Sequence, residues 1–457
     1  MHWPSSFELA LAVQILIWLG VILFFVISGQ ASVFHPLTIY LGFHALVFIL
    51  RPLMIYFFNF DGEFRYMGIQ PDETLLTRTL MITSVALVVF AIACLAFGWC
   101  QPQFQATSPT PFPPEQRRSL VILTVLLLPV IAYSIHAAAT DFGGEMIGGT
   151  FVLTGASGYS VEAQLMAGPL LCLWLAVTRF RWQVVLLLIP YVGYRAYYGM
   201  ARWSFVLLFV ALGLMYAWQT RKKWLPWWLL IVALAIFPLF KMVGDDRAVV
   251  RELISGEYDS TAHDTTDPSM TAEDRFRMKY DNPDFANFDF LTFVVEMVPD
   301  RTQSYTYGTQ YLQLFTEPIP RKLWPGKPAG PPVGFFNLNN YGDFLGRTVS
   351  LVGDGWMSGG WIGVVITMTI VGAMLGLAHR WFWTHLQNNM VALFYLVGIA
   401  MLPQWYRDGG ISISKFLFWN LSPLVLWLVL TWMLKGGFVP GHSVLLPAGS
   451  RIRFVRN

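Results

Sequence analysis

Thr79 to Trp99 reads TLMITSVALVVFAIACLAFGW, a run with no charged side chain. At about 1.5 Å rise per residue a helix of this length crosses ~30 Å of hydrocarbon. Hydrocarbon offers no partner for a backbone N–H or C=O, so such a run must be helical or belong to a closed barrel. The strict apolar–polar alternation of a barrel strand is missing, which leaves the helix. The rest of the chain is of the same kind. Hydrophobic residues make up 55% of its 457 positions and charged ones 12%, a balance that a soluble domain of this size could not keep in solution.

Cutting the chain on the same ruler of about 20 residues predicts an all-α, polytopic integral membrane protein of about eleven spans. They fall at 8–28, 36–58, 79–99, 119–139, 161–178, 183–199, 203–219, 224–243, 356–378, 389–406 and 416–435. The first run has no basic segment before it and no small-residue cleavage site after it, and is read as a retained span. Four parts follow: N-terminal spans over 1–243, a large loop over 244–355, C-terminal spans over 356–435 and a tail over 436–457.

Lys and Arg are retained on the cytoplasmic side of short connections. Arg117/Arg118, Arg179/Arg181, Arg221/Lys222/Lys223 and His379/Arg380 occupy alternate loops, and Arg451, Arg453 and Arg456 lie in the tail. The C-terminus is therefore expected in the cytoplasm, and the N-terminus and the 244–355 loop outside. The net charge of +3 carries no basic block of the kind that binds nucleic acid. Cys94, Cys100 and Cys172 lie in or beside apolar runs and read as small core hydrophobes, neither disulfide framework nor metal cluster.

The large loop departs from the rest in composition. It holds 17 Asp and Glu against 10 Lys and Arg. Its part 258–275 (YDSTAHDTTDPSMTAEDR) is polar enough to be mobile, whereas 285–335 carries an apolar helical stretch, Phe288 to Val298, and many aromatics, and is expected to pack on the outer face as short interfacial helices.

An ionised Arg at the bilayer centre costs about 3 kcal/mol on insertion scales, so each membrane arginine needs an explanation. Arg195 sits in the run Tyr191-Val-Gly-Tyr-Arg-Ala-Tyr-Tyr-Gly and Arg202 opens the seventh span. Either they snorkel to an aromatic belt, or they line an outer cavity and clamp a phosphate with paired N–H donors. Arg407 follows Trp405-Tyr406 and precedes Asp408, so it reads as an exposed ion pair or as part of the same clamp. Arg51, deep in the second span, needs either an acid or a polar cavity. Arg247 and Arg251 stand four apart and share a helix face.

Tyr305, Tyr307, Tyr311, Arg321, Trp324 and Lys327 fall in the run YTYGTQYLQLFTEPIPRKLWPGKP, 305–328. Prolines stiffen it, and aromatic faces beside cations suit a sugar joined to a phosphate. Asp354, in Gly353-Asp-Gly-Trp before a glycine-rich span, is either a helix cap or a base in an outward cavity, with His136 and Asp141 as weaker candidates for the latter. The neighbouring acids Asp245 and Asp246 point apart on a helix and are not read as a metal site.

The pattern Tyr-x-Tyr-Gly-x-x-Tyr, then Pro-Ile-Pro-Arg-x-x-Trp-Pro-x-Lys-Pro, then Gly-Asp-Gly-Trp before a glycine-rich span resembles the Wzy-type oligosaccharide repeat-unit polymerases of O-antigen and exopolysaccharide, membrane glycosyltransferases of GT-C-like type. Ala201-Arg-Trp-Ser204 and Tyr406-Arg-Asp-Gly409 are similar to positions in that group, and the resemblance covers mainly 190–415. It implies glycosyl transfer at the periplasmic face of the bacterial inner membrane. The donor would be a glycan on undecaprenyl diphosphate, the acceptor the terminal hydroxyl of a lipid-linked repeat unit. A flippase and a chain-length regulator would be the protein partners, beside membrane lipids.

On that implication Arg202, Arg247, Arg321 and Arg407 would stabilise the departing diphosphate and Asp354 would accept the acceptor's proton. Arg195, Arg251, Lys327, Tyr305, Tyr307, Tyr311 and Trp324 would bind diphosphate or sugar. Neither nucleotide nor metal is expected, since the lipid carries the leaving group, and no P-loop or metal-spaced His cluster stands in the sequence. Two other readings stand beside it. An O-antigen ligase would draw on a loop histidine, for which His263 is available. A transporter or lipid flippase would show paired halves with broken helices, which the sequence lacks.

Overall fold

In a computed structural model the structure describes residues 5–100, 111–140, 144–147, 150–153, 161–197, 203–229, 249–255, 285–312, 338–344, 347–410 and 414–435, with positions 231, 271, 281, 315, 319 and 323–324. The centre is a pair of long helices, α4 (Glu73–Gly98) and α12 (Ser350–Thr384). They lie backbone to backbone because α12 carries glycine at i and i+4. A Cβ on Gly372 would stand 2.9 Å from Phe90 O, and one on Gly376 2.5 Å from Cys94 O. Small residues let helices approach this closely in a bilayer, where apolar burial alone does not drive them together.

Around this pair stand α1 (Ser6–Ile27), α2 (Pro36–Phe58), α5 (Pro114–Thr140), α13 (Asn389–Asp408) and α14 (Ser414–Leu434). With α4 and α12 they make seven helices, among the described residues, long and apolar enough to cross a membrane. Their outer faces present apolar side chains, Leu16 at 67% exposure and Ile27 at 74% among them, as lipid contact requires. The chain is a helical membrane protein. Capping follows local chemistry: Ser5 and Glu8 close a reciprocal box at the start of α1, and Asp72 accepts Leu75 N–H at the start of α4.

Helix α2 is not uniform. Ala45–Leu50 forms a π-helical turn inside it, and the buried Gln14 of α1 donates to Phe48 O at 2.9 Å there. Such turns release backbone groups that a neighbour then satisfies.

Four further segments of the sequence reading differ or fall partly outside view. The predicted spans 161–178 and 203–219 are the shorter apolar helices α6 (Ala163–Val177) and α9 (Trp203–Gln219). The predicted span 183–199 is divided into α7 (Trp182–Val185) and α8 (Leu188–Tyr197). Pro190 lies in the first turn of α8, where its missing N–H takes no helical bond and its ring clashes least. Segment 224–243 lies mostly outside the described residues. A short antiparallel hairpin, Gly144–Ile147 with Thr150–Leu153, pairs Gly144 with Leu153 and Ile147 with Thr150.

The basic connections gather at one end of the bundle. Val33 N–H donates to Lys223 O at 3.0 Å, Lys223 Nζ to Gly29 O at 3.1 Å and Gln219 Nε2 to Ala176 O at 2.9 Å, while the His35 and His379 rings stand 4.2 Å apart. At the opposite end lie the short helix α3 (Gly62–Met67), α11 (Asn287–Met297), the 305–312 segment and the turn at 407–410.

Candidate functional site

Helix α11 is the apolar stretch expected at 288–298, but it does not lie on the membrane face. Ten of its residues are buried, among them Asp289 at 0% exposure. A carboxylate there has to meet a cation, and Arg51 of α2 donates Nε to Asp289 Oδ1 at 3.0 Å and Oδ2 at 3.2 Å. Asp281 Oδ1 joins at 2.7 Å from Arg51 Nη2, while its Oδ2 accepts Gly62 N–H at 2.8 Å. Arg51 therefore has its acids. Burial pushes the Asp289 carboxyl up and Arg51 pulls it back. Beside this group Arg347 and Glu63 form an ion pair at 2.7 Å, and the Arg347 guanidinium lies 4.2 Å from the Tyr66 ring centre.

This anchoring holds the start of α12 in place. Asp354 is not the cap of a helix: α12 begins at Ser350, where Ser350 Oγ accepts Gly353 N–H, so Asp354 lies inside its first turns. Its side chain, 1% exposed, reaches another part of the chain, and Oδ2 accepts Gly410 N–H at 2.6 Å. Gly409 makes the approach feasible. With φ +84° it occupies a region that favours glycine, and a Cβ would stand 2.5 Å from Asp354 Oδ2.

Helix α12 then breaks at Gly359–Gly360, and the carbonyls before the break need donors. The 305–312 segment supplies them. Met357 O accepts Thr306 N–H at 2.8 Å, and Asp354 O accepts Gln310 Nε2 at 3.3 Å and Ser358 Oγ at 2.7 Å. Gln310 Nε2 also donates to Ser358 Oγ at 2.7 Å. Gly360, at φ +57°, leaves room for Tyr305: a Cβ there would be 2.8 Å from the Tyr305 hydroxyl. Tyr311 comes within 3.2 Å of the Cβ position of Gly410, and burial pushes its phenol up from the ordinary value.

Arg407 closes the group. Its Nη1 stands 3.3 Å from Asp408 Oδ1, the two side chains being 14% and 10% exposed, so the pair is sheltered rather than solvated. Asn287 Nδ2 donates to Arg407 O at 3.1 Å and to Thr348 Oγ1 at 3.0 Å, and Gln404 Nε2 donates to Asp408 Oδ2 at 3.2 Å. The whole is a polar group with one carboxylate, Asp354, held by a single backbone N–H, and an Arg–Asp pair three residues along the turn that holds it. Such a group can take up a proton and can offer a guanidinium to an anion.

Of the residues singled out from the sequence, Asp354, Arg407, Tyr305 and Tyr311 are brought together here. Tyr307, 71% exposed, lies against Tyr305 with ring centres 6.2 Å apart. Trp324 is 38% exposed. Arg195 is buried in a second polar group, where Nη1 donates to Gln164 Oε1 at 3.2 Å, as does the Tyr194 hydroxyl at 3.2 Å. Arg251 lies on the short helix α10 (Val249–Ser255). Arg202, Arg247, Arg321, Lys327, Asp141 and His263 lie outside the described residues, and His136 is exposed. No group of three or more metal-ligating side chains occurs among the described residues.

Sequence reasoning missed Asp289, Glu63, Arg347 and Gln310. Asp289, one of two acids with Glu296 in the apolar stretch 288–298, and a lone Arg in the second span were a signal for the first, since uncompensated charges in apolar runs call for each other. Comparison with protein-family models, curated proteins and solved structures found no match.

Proposed function

We propose that this chain is a membrane glycosyltransferase of the polymerase kind, joining oligosaccharide repeat units carried on undecaprenyl diphosphate into a surface polysaccharide. The site end of the bundle then faces the periplasm and the basic end the cytoplasm, in an eleven-span topology with the C-terminus inside. The observation that carries the reading is the convergence of Asp354, the Arg407–Asp408 turn and the tyrosine-bearing 305–312 segment at the end of the bundle away from the basic loops. The sequence pattern around the same residues supports it.

In this reading the acceptor hydroxyl oxygen attacks the anomeric carbon of the donor glycan. The new O–C bond forms as the bond from that carbon to the diphosphate oxygen breaks, and the electron pair leaves with undecaprenyl diphosphate. Asp354 takes the hydroxyl proton. Arg407, with Arg321 and the other loop cations, faces the negative charge that grows on the diphosphate, where fixed cations in a water-poor site act most strongly. Tyr305 and Tyr311 give the sugar a flat wall. No cofactor enters the scheme, because the lipid brings its own leaving group.

The purified protein in liposomes, supplied with one defined lipid-linked repeat unit, tests this. A ladder of products differing by one repeat is expected. Transfer of the glycan to a lipid A core instead would make the chain a ligase. Movement of the unit across the bilayer without new glycosidic bonds would make it a transporter.

A further inference from the structure

At the basic end a cavity of about 610 Å³ opens between the start of α5 and the end of α6. Arg117, Arg179 and Arg181 stand in its wall with Phe112, Val121 and Trp174, and among the described residues that line it none is a carboxylate. Two features set it apart from a solvated run of retained charges. Arg117 lies in the first turn of α5, where the partial positive charge of the helix end opposes a cation and favours an anion. On the other wall Arg179 and Phe180 both adopt left-handed backbone conformations, φ +52° and +56°, an arrangement that costs energy and recurs where a ligand is held. The tight turn brings Arg179 and Arg181 to the same hollow. Trp174 is fixed as its floor by donating Nε1 to Thr124 Oγ1 of α5 at 2.9 Å.

The position narrows the ligand. Both walls belong to apolar helices, and the cavity lies at their common basic end, where retained Lys and Arg side chains meet lipid headgroups. Val121, 50% exposed, continues the wall along α5 toward the hydrocarbon, so a molecule seated there meets guanidinium at one end and apolar side chains at the other. We propose that this cavity binds the phosphate of an anionic phospholipid, with an acyl chain running down the α5 face. The shared chemistry, a phosphate between arginines, also suits a free phosphate, but only a lipid uses the apolar wall. Basic pockets between helices on one leaflet are suited to such headgroups.

Native mass spectrometry of the full chain in detergent tests it, with cardiolipin, phosphatidylglycerol, phosphatidylcholine and inorganic phosphate as probes. The anionic lipids are expected to bind the chain and phosphatidylcholine not to. Arg117→Gln and Arg181→Gln should each weaken anionic-lipid binding about fivefold, and together about 25-fold. Arg380→Gln, an exposed change at the same end but outside this wall, should leave it unaltered. Equal loss with Arg380→Gln would reduce the effect to general surface charge and overturn the site. So would unchanged binding in the double variant, or inorganic phosphate displacing the lipid at equal concentration, which would mean a plain anion site.

Discussion

Asp354 and Gly410, 56 positions apart, are joined by a 2.6 Å hydrogen bond from the Gly410 N–H to Asp354 Oδ2. The bond sets the start of α12 against the turn that carries Arg407, and Gly409 makes it possible. In Gly409→Ala the new methyl would fall on the Asp354 carboxylate at 2.5 Å, in a backbone conformation of φ +84° that alanine resists. The turn must shift by the order of an ångström, and a displacement of that size costs about 100-fold in rate. The prediction is a membrane-inserted protein with chain extension reduced by about that factor, measured as repeat units added per minute.

The buried ion group makes a stability prediction. Arg51 and Asp289 are 1% and 0% exposed, so removing one partner strands a charge away from water. Arg51→Ala should destabilise by about 3–5 kcal/mol, since it strands both Asp289 and Asp281, whereas Arg51→Met with Asp289→Leu and Asp281→Asn, which removes every charge of the group, should lose far less. Thermal unfolding of the detergent-solubilised protein, followed by tryptophan fluorescence, reads the difference. A charge-free triple variant as unstable as Arg51→Ala would mean that the group contributes through something other than charge.

The α4–α12 contact makes a third. Gly376→Val would press two methyl groups toward Cys94 O, from which even a Cβ is only 2.5 Å distant. Overpacking of this kind costs about 1–3 kcal/mol. The same substitution at Gly20, where a Cβ meets nothing within 4 Å, should be nearly silent in the same melt.

The spans were legible where they are long and uninterrupted. Each of the seven long apolar helices overlaps a run found by length and charge alone, and α11 overlaps the stretch marked at 288–298. What local composition does not carry was not legible. The partner of Arg51 is 238 positions away, so its sequence neighbours say only that it needs one. The π-helical turn at Ala45–Leu50 contains ordinary apolar residues and nothing that breaks a helix pattern. Asp354 was legible as a residue and not as a geometry. Gly353-Asp-Gly reads as a capped start, yet the helix begins four residues earlier and turns the carboxylate toward Gly410. The 183–199 run was too hydrophobic for its division between Val185 and Leu188 to weigh in a count of apolar residues.

The most direct test is the product ladder made in liposomes by Asp354→Asn and Arg407→Ala from a defined undecaprenyl-diphosphate-linked repeat unit, compared with the unaltered chain at equal protein. Asparagine keeps the oxygen that accepts Gly410 N–H but has little capacity to take a proton, and alanine removes the guanidinium while leaving the turn. The expected result is folded protein in both cases, with chain extension lowered by about 100-fold or more and single repeat units accumulating. Ladders of normal length and rate from both variants would contradict the account.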